Sequence, residues 1–368
     1  MGSSEQFHEI FRREPKTREG VSFARFMELA LYHPEVGYYT RHRPRIGREP
    51  ATDFFTATSL GPIFGELVAA AATELIKPHD PSEFTFVEMG AERHWTAGES
   101  TLRGIFDGVR HPFGRYQPVP LDELGEPPRF LSAAKDVGGE ARHPTGSVPV
   151  SSNSTGPVPV SRTILFSNEL FDAQPCHRLV WRDGRWRESG VALRDTRLVE
   201  VELDALSFEA AAMEEMLPKS AEAGYRLDLP LASRRLLRSL VEAPWNGLFL
   251  AFDYGKSWTT LAADTPQGTL RAYSRHRQNP DVLDASGEQD LTCHICWDWL
   301  ADDLRSAGFE TPVIESQEAF FARRATQFLA SAVAAEASRL TARKQAIMQL
   351  LHPAHMGHKF QVLSALRT

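Results

Sequence analysis

The sequence of 368 residues has little cysteine, and no secretory signal opens it. Its three cysteines, Cys176, Cys293 and Cys296, are too few for the disulfide framework typical of small secreted proteins. The chain also does not open with an apolar run of about 18 residues, the length that could cross a bilayer. We therefore expect a protein of a reducing compartment, without a membrane partner, and place it in the cytoplasm.

Clustered basic residues are also absent. The chain has 41 Lys and Arg against 48 Asp and Glu, which gives a formal net charge of −7. Proteins that bind nucleic acid by releasing its counterions need clustered Lys and Arg, so we expect no nucleic-acid partner. Glu5, Glu9 and Glu14 make the first residues unlike an acid-poor transit peptide, which agrees with a cytoplasmic location.

Several catalytic and metal-binding patterns are missing as well. G-x-S-x-G, the phosphate-binding loop and H-E-x-x-H do not occur, which disfavours a hydrolase, a nucleotide triphosphatase and a metalloprotease. Cys293 and Cys296 have no second cysteine pair at zinc spacing, and a buried strand is the favoured interpretation. Pro353 lies between His352 and His355 and disfavours a helix that bears both as ligands. We expect no metal.

Short apolar runs joined by helical segments make up the middle of the chain. They predict strands at 84–88, 116–121, 163–166 and 248–252, with helices near 101–109 and 129–135 between the first three. Continuous apolar strands are typical of a parallel sheet buried on both faces. The sequence therefore predicts an α/β fold with a Rossmann-like, doubly wound sheet, which binds its ligand beyond the carboxyl ends of the strands.

The organisation along the chain suggests a core with additions. An amphipathic helix is predicted at 21–32, with Ser22 as its cap. An Asp183-Gly184 turn between two strand patterns predicts a hairpin, and a helix-forming run follows from Ser207 to Ala223. We predict that residues 1–80 form an N-terminal helical segment that contributes to the cleft. Residues 81–176 are predicted to form a cofactor-binding core, with a flexible Ser-, Pro- and Gly-rich insertion at 141–161. Residues 177–244 are predicted to form an inserted α+β subdomain on the substrate side, and residues 245–368 the rest of the core with C-terminal helices.

Three polar residues follow the strand that ends at Phe166. They are Asn168, Glu169 and Asp172 in the segment FSNELFDAQP. Two carboxylates at the mouth of a sheet can hold a cationic nitrogen group such as a guanidinium by paired hydrogen bonds and ease its loss of a proton. The alternative is that Asn168 and Asp172 only cap a following helix.

The ends of the first two core strands suggest a nucleotide-type cofactor. Gly90 and the small Ala91 allow the backbone to approach a cofactor closely after the first strand. Asp122 and Glu123 follow the second strand and are candidates for binding ribose hydroxyls, by analogy with dinucleotide sites. A solvated acidic turn is the alternative for that pair.

Nine blocks of sequence together resemble one family, the MidA-like methyltransferases, which include the mitochondrial complex I assembly-factor methyltransferase and many bacterial relatives. The blocks cover nearly the whole chain in family order. They are SFARFMELALYHPEVGYY, DFFTATSLGPIFGEL, VEMGA, SNELFDAQP, GYRLDLP, DYG, GTLRAYSRHR, GEQDLTCHI and HPAHMGHKFQVL.

The resemblance implies a class I methyltransferase core that binds S-adenosyl-L-methionine (SAM), and a protein substrate methylated on arginine. Glu88 and Gly90 would then belong to the SAM loop, Asn168, Glu169 and Asp172 to the mouth shared by SAM and acceptor, and Thr56 to the same cleft. Further cleft residues would be His276, Gln289, Asp290, Thr292 and His294. As alternatives, His276 is a solvated residue and Asp290 a turn acceptor.

Two departures from the family pattern keep other functions open. Glu92 and His94 occupy two of the three glycine positions of the family loop E-x-G-x-G-x-G, and Thr58 and Ser59 stand where many members have Pro-Glu.

Our main hypothesis is a SAM-dependent methyltransferase that acts on a protein side-chain nitrogen such as that of arginine. The alternatives are a non-catalytic or SAM-impaired relative that serves as a binding or assembly module, and a small-molecule methyltransferase. The oligomeric state stays open.

Overall fold

The computed structural model describes residues 3–41, 57–96, 99–121, 161–335 and 341–368. The α-helices of these residues are α1 (Ser3–Phe11), α2 (Phe23–Tyr32), α3 (Ile63–Leu75), α4 (Phe208–Ala211), α5 (Leu231–Glu242), α6 (Trp258–Ala263), α7 (Trp297–Ser306), α8 (Gln317–Arg324), α9 (Thr326–Ala335) and α10 (Ala342–Leu351). Short 3-10 turns lie at Ala57–Leu60, Pro81–Glu83 and Glu214–Met216, and a π-turn lies at Pro353–Gly357.

The strands form one large sheet and three smaller ones. They are β1 (Val21–Ser22), β2 (Thr85–Thr96), β3 (Glu99–Arg103), β4 (Arg115–Pro120), β5 (Ser161–Asn168), β6 (His177–Arg182), β7 (Arg185–Arg194), β8 (Arg197–Glu202), β9 (Arg226–Leu229), β10 (Trp245–Asp253), β11 (Gly255–Lys256), β12 (Arg271–Ser274), β13 (Arg277–Asn279), β14 (Asp290–Thr292), β15 (Ile295–Cys296), β16 (Val313–Ser316) and β17 (Gln361–Arg367).

The large sheet is built around β5. This strand pairs in parallel with β2 on one side and with β10 on the other, and β4 pairs in parallel with β2. On the far side, β17 runs antiparallel between β10 and β16. The order across the sheet is β4-β2-β5-β10-β17-β16. The four apolar runs predicted as strands are all members of this sheet.

Helices cover both faces of the large sheet. On one face Phe86, Phe166 and Phe252 pack with α3, α8 and α10, and on the other face Leu165 and Phe249 pack with α5 and α7. Neighbouring residues of one strand thus enter different cores, which is why the strand sequences are apolar throughout. Helix α5 lies within the predicted insertion 177–244 but packs on the large sheet, so the antiparallel part of that segment ends with β9.

A second, antiparallel sheet carries the N-terminal helices. Its order is β1-β7-β6-β9, with β8 also on β7. The turn between β6 and β7 has Asp183 and Gly184 at φ 51° and 73°, the left-handed pair that a two-residue hairpin requires. Helix α2 begins after Ser22, whose Oγ accepts a hydrogen bond from the Arg25 N–H at 3.2 Å, as its sequence predicts.

Two predicted helices differ from the structure. Residues 101–109 form β3 and a turn instead, because β2 continues past Glu88 and pairs back on β3, and Gly104 and Gly108 weaken the helical alternative. The run 207–223 holds only α4 and one 3-10 turn, and Pro218 stops any continuation. The predicted helix at 129–135 lies outside the described residues.

The last small sheet, β13-β12-β14, is antiparallel and lies in the segment between α6 and α7. Its strand β14 leads through Cys293 and His294 into β15, which pairs in parallel with β11 after the end of β10. The segment thus returns to the carboxyl edge of the large sheet. Among the described residues, no helix combines the length and the apolar character needed to cross a membrane.

Candidate active site at the carboxyl edge of the large sheet

The parallel strands β2, β5 and β10 end side by side. Met89 pairs with Ser167, and Asn168 pairs with Phe252. The residues that follow each strand therefore meet at one edge, the place where doubly wound sheets bind ligands. The segments that directly follow these three strands at this edge are the turn at Gly90, the loop from Glu169 to Pro175, and Asp253 with Tyr254.

Asp253 organises the loop after β5. Its side chain is fully buried, and Oδ2 accepts a hydrogen bond from the Phe171 N–H at 2.8 Å while Oδ1 accepts one from the Tyr254 N–H at 2.8 Å. Burial raises the pKa of Asp253 to about 7 although these N–H groups favour the ionised form. No helix lies between β5 and β6, so the alternative that Asn168 and Asp172 cap a helix is wrong.

Glu169 sits in the left-handed backbone region, with φ 52°. A residue with a Cβ adopts this conformation only where its surroundings hold it there, which is common at functional sites. Its Oε1 accepts a hydrogen bond from Asn168 Nδ2 at 3.0 Å, and the carboxylate also accepts one from the Ala57 backbone. Burial raises the pKa of Glu169 to about 8. The Oδ1 atom of Asn168 is buried and has no hydrogen-bond partner among the residues that the structure describes.

Asp172 is 4% exposed and lies among other carboxyl groups. Burial raises its pKa well above the ordinary value, and the charges of Asp253, Glu169 and Asp290 raise it further. The Asp172 carbonyl accepts a hydrogen bond from the Cys293 N–H at 2.8 Å. This bond joins the loop after β5 to the segment that contains Asp290. Glu169, Asp172, Asp253 and Asp290 together form the group that we call the carboxyl cluster.

The N-terminal segment closes one side of this cluster. The Tyr39 hydroxyl donates a hydrogen bond to Asp290 Oδ1 at 2.8 Å, and its ring stacks on Tyr32 with 5.6 Å between ring centroids. The Tyr32 hydroxyl in turn donates to the Ala173 carbonyl at 2.8 Å. Hydrogen bonds thus hold Tyr39 to β14 and Tyr32 to the loop after β5.

The cofactor side of the edge differs from a glycine-rich turn. Gly90 has φ 76°, and a Cβ at this position would lie 3.2 Å from Leu170 Cδ1. After the buried Ala91 the chain continues as a hairpin, with Glu92 paired to Arg103. In a dinucleotide site a helix would follow the turn and direct its N-terminus at the phosphates.

Glu88, on β2 just before this turn, is 6% exposed. Its Oε2 accepts hydrogen bonds from the Ile105 N–H at 2.9 Å and from the Tyr116 hydroxyl. Burial raises the pKa of Glu88 to about 7. The carboxylate therefore fixes the turn after β3 against β4, which makes it a positioning group in this structure.

The other predicted cleft residues have different surroundings. Gln289 is buried, its amide donates to the Asp281 and Val282 carbonyls at 3.2 Å, and its Oε1 accepts from Asn279 Nδ2 at 2.9 Å, so it holds its own loop. His276 is exposed at the hairpin between β12 and β13, with φ 61°.

Thr292 and His294 continue from Asp290 toward the large sheet. Thr292 pairs with Arg271 across β12 and β14. Burial lowers the pKa of His294 to about 4, and no described residue forms a hydrogen bond with its buried Nδ1. Thr56, Asp122, Glu123 and residues 141–160 of the predicted insertion lie outside the described residues. Within the described residues no group of three or more His, Cys, Asp or Glu is placed to hold a metal.

Two members of the site were not predicted as site residues. Asp253 belongs to the DYG block, and its position directly after an apolar strand could have marked it. Tyr39 belongs to the GYY block, but no spacing in the sequence connects it with Asp290.

Comparisons with known proteins agree with this architecture. Residues 149–314 match a family described as "Putative S-adenosyl-L-methionine-dependent methyltransferase". Among solved structures, that of a Burkholderia thailandensis protein with bound S-adenosyl-homocysteine superposes with a TM-score of 0.75 and 24% identity, over 99% of this chain and 92% of that one. The predicted resemblance to the MidA-like methyltransferases is confirmed. The predicted enzyme class, a SAM-dependent methyltransferase, and its cofactor are confirmed with it, and the chain has the α/β fold of such enzymes.

Two proteins that are similar to this chain are named protein arginine methyltransferases. The protein arginine methyltransferase NDUFAF7 homolog of Drosophila melanogaster is 27% identical over 75% of this chain, and NDUFAF7 of Xenopus laevis is 23% identical over 98% of it. The match spans 64% of the Drosophila protein and 83% of the Xenopus protein.

The same relatives overturn the predicted location. The proteins from Drosophila melanogaster, Xenopus laevis and Danio rerio are all named mitochondrial, so the expectation of a cytoplasmic protein is wrong. The acidic residues Glu5, Glu9 and Glu14 did not decide the compartment.

Proposed function

We propose that this protein transfers a methyl group from SAM to a guanidinium nitrogen of an arginine in a protein substrate. The observation that carries the proposal is the carboxyl cluster, which gathers four acidic side chains at the carboxyl edge of the sheet: Asp172, Asp253 and Asp290 are buried, and Glu169 is partly buried. Buried carboxylates are costly unless a positive charge compensates them. A bound guanidinium supplies that charge and offers a planar set of donors to two carboxylates at once.

Each residue of the mouth has a proposed role. Glu169 and Asp172 accept hydrogen bonds from the guanidinium and hold it in one orientation. Their raised pKa values make them better proton acceptors than an exposed carboxylate, which suits the release of a proton when the nitrogen is methylated. The left-handed backbone at Glu169 fixes the direction of its side chain. When bound, SAM supplies an electrophilic methyl group on a positively charged sulfur.

The cofactor side is supported by an unsatisfied group. Asn168 Oδ1, at the strand end, is a buried acceptor that has no partner within the described part of the chain, and such an atom normally receives a donor from a ligand or from water. We assign Asn168, Gly90 and Ala91 to the cofactor side, with Glu88 as the residue that positions the turn. Thr56, Asp122 and Glu123 are kept as proposed cofactor contacts, and Ala57, the neighbour of Thr56, already reaches Glu169.

The finer architecture is part of the same proposal. The large sheet serves as the doubly wound, SAM-binding core, and the antiparallel sheet with α1 and α2 serves as a substrate-side subdomain. Tyr39 and Asp290 would then join this subdomain to the acceptor cleft. His276, Thr292 and His294 are proposed to line the acceptor path from the other side.

Two measurements test the proposed function. Isothermal titration with SAM and with S-adenosyl-homocysteine measures cofactor binding, and we expect saturable heat for both. Incubation of the protein with radiolabelled SAM and a cell extract, followed by amino-acid analysis, should place the label on protein arginine. Asp172→Asn should abolish labelling while cofactor binding persists, whereas the surface variant Glu310→Gln should label like the wild type.

The hairpin in place of a glycine-rich turn favours one competing function, a binding or assembly module without catalysis. That alternative predicts no heat with either cofactor form at millimolar concentration and no label in any product. Label confined to low-mass products would instead indicate a small-molecule methyltransferase.

A further inference from the structure

The small sheet β13-β12-β14 brings another aromatic side chain to the carboxyl cluster. Tyr273 on β12 is the direct partner of Asp290 on β14. Directly paired residues of antiparallel strands point to the same face of the sheet. Asp290 is buried on that face and accepts the hydrogen bond from Tyr39. Tyr273 therefore faces the cleft in which Asp290 lies.

The ring of Tyr273 is close enough to the cluster to interact with its charges. Burial raises the pKa of the Tyr273 phenol, Arg271 lowers it, and the charges of Asp172 and Asp290 raise it. Carboxylates from two different segments thus lie within electrostatic reach of one ring. The side chain is only partly buried, so part of the ring is open to a ligand.

A second tyrosine lies near the same carboxylates. Tyr254 follows β10, and burial together with the charges of Glu169 and Asp172 raises its pKa. Its ring packs on Phe360 with 4.2 Å between ring centroids, which fixes its orientation. The cleft therefore combines carboxylates with two aromatic rings, one just after the end of β10 and one on β12.

This combination has a chemical preference. The face of an aromatic ring attracts a cation, and neighbouring carboxylates add to that attraction. A guanidinium is planar and weakly hydrated, so it can stack on a ring while its edge donates hydrogen bonds to a carboxylate. A lysine ammonium is compact and strongly hydrated and cannot do both in this way.

We propose that Tyr273 is a specificity-determining residue, whose ring stacks on the guanidinium of the methyl acceptor and selects arginine over lysine. This proposal rests on the function proposed above. Tyr273 acts by binding the acceptor and takes no part in the proton transfer assigned to Glu169 and Asp172.

Peptide binding tests the role of Tyr273 without requiring turnover. The full chain, saturated with S-adenosyl-homocysteine, is titrated with acetylated and amidated Gly-Gly-Arg-Gly-Gly and with the same peptide containing lysine. Tyr273→Leu removes the ring and approximates its bulk, and Tyr273→Phe is the matched control that keeps the ring and loses only the hydroxyl. Thermal unfolding of each variant confirms that it is folded.

We expect the wild type and Tyr273→Phe to bind the arginine peptide more tightly than the lysine peptide. In Tyr273→Leu, the ratio of the two affinities should be about fivefold smaller. If the wild type binds both peptides equally, the proposal is overturned. It is also overturned if Tyr273→Leu keeps the wild-type ratio of the two peptide affinities. If Asp172→Asn loses arginine binding in that case, the proposed function stands. If the wild type binds neither S-adenosyl-homocysteine nor the arginine peptide, the proposed function fails and the role of Tyr273 fails with it.

Discussion

The Tyr39 hydroxyl donates a hydrogen bond to the buried carboxylate of Asp290 across 251 positions of sequence, at 2.8 Å. This bond connects the segment after α2 with β14 and so joins the N-terminal helices to the side of the cleft that we propose binds the acceptor. Tyr39 follows the helix α2, whereas Asp290 belongs to the small sheet β13-β12-β14. Loss of the bond should therefore affect both the stability of the fold and the geometry of the site.

Tyr39→Phe removes this donor and leaves the ring in place. We expect the free energy of unfolding to fall by about 1–2 kcal/mol, because a buried charged acceptor loses a hydrogen bond. Urea denaturation measures the change, and Tyr273→Phe provides a control in which a less buried hydroxyl is removed from the same cleft. An unchanged midpoint for Tyr39→Phe would show that the bond contributes nothing to stability.

Asp172 and Asp253 should respond oppositely to replacement by asparagine. Asp253 accepts two backbone N–H groups, and an amide can accept only one of them and turns an NH₂ toward the other, so Asp253→Asn should destabilise the fold by about 1–3 kcal/mol. Asp172→Asn removes one of several crowded like charges, so the fold should be as stable as the wild type or more stable, while methyl transfer falls at least about a hundredfold. Chemical denaturation and labelling rates, measured on both variants, separate the two effects. Equal destabilisation by both changes would contradict the assignment.

The carboxyl cluster makes stability depend on pH in a definite direction. The pKa of Glu169 is raised to about 8 in the folded state from an ordinary value near 4.5, and those of Asp172 and Asp253 are raised as well. Between these limits the folded state binds more protons than the unfolded state, so the free energy of unfolding falls as pH rises from about 5 to about 8.

Denaturation midpoints at several pH values in that window measure this slope. Glu169→Gln cannot ionise and should flatten the slope, whereas the surface variant Glu310→Gln should leave it unchanged. A stability that rises with pH over the same window would show that the cluster is ionised in the folded protein.

Glu88→Ala tests the hairpin that replaces the glycine-rich turn. The substitution leaves the buried Ile105 N–H and the Tyr116 hydroxyl without their acceptor, which should lower the free energy of unfolding by about 2–4 kcal/mol. Glu88→Gln keeps an acceptor oxygen and should cost much less. Hydrogen exchange at the Ile105 amide would report the loss directly, and full protection of that amide in Glu88→Ala would contradict the role of Glu88.

The sequence predicted the four parallel strands of the large sheet because these strands are buried on both faces, but it did not predict β3, β16 and β17. The apolar runs at 163–166 and 248–252 leave no polar face, and this pattern is enough to identify central parallel strands. The turn at Asp183-Gly184 was equally predictable, because few residues adopt left-handed pairs. The position of Glu169 and Asp172 at the edge followed from the end of β5.

Other parts depend on contacts that no local pattern carries. The continuation of β2 into a hairpin is decided by its pairing with β3, and the residues 92–96 have no strong preference of their own. The role of Gln289 as a support for its loop depends on three partners in the fold. The meeting of Tyr39 with Asp290 is a product of the tertiary structure alone.

The position of β17 also affects how the protein is made. This strand, Gln361–Arg367, lies between β10 and β16, so both strands have an unpaired edge until it is inserted. A ribosome delivers the chain from its N-terminus, and the nascent polypeptide therefore carries an open apolar edge at β10 while more than a hundred further residues are synthesised. Open edges of this kind pair with other chains, so chaperone binding during synthesis should matter more for this enzyme than for one whose central strands lie close together in sequence.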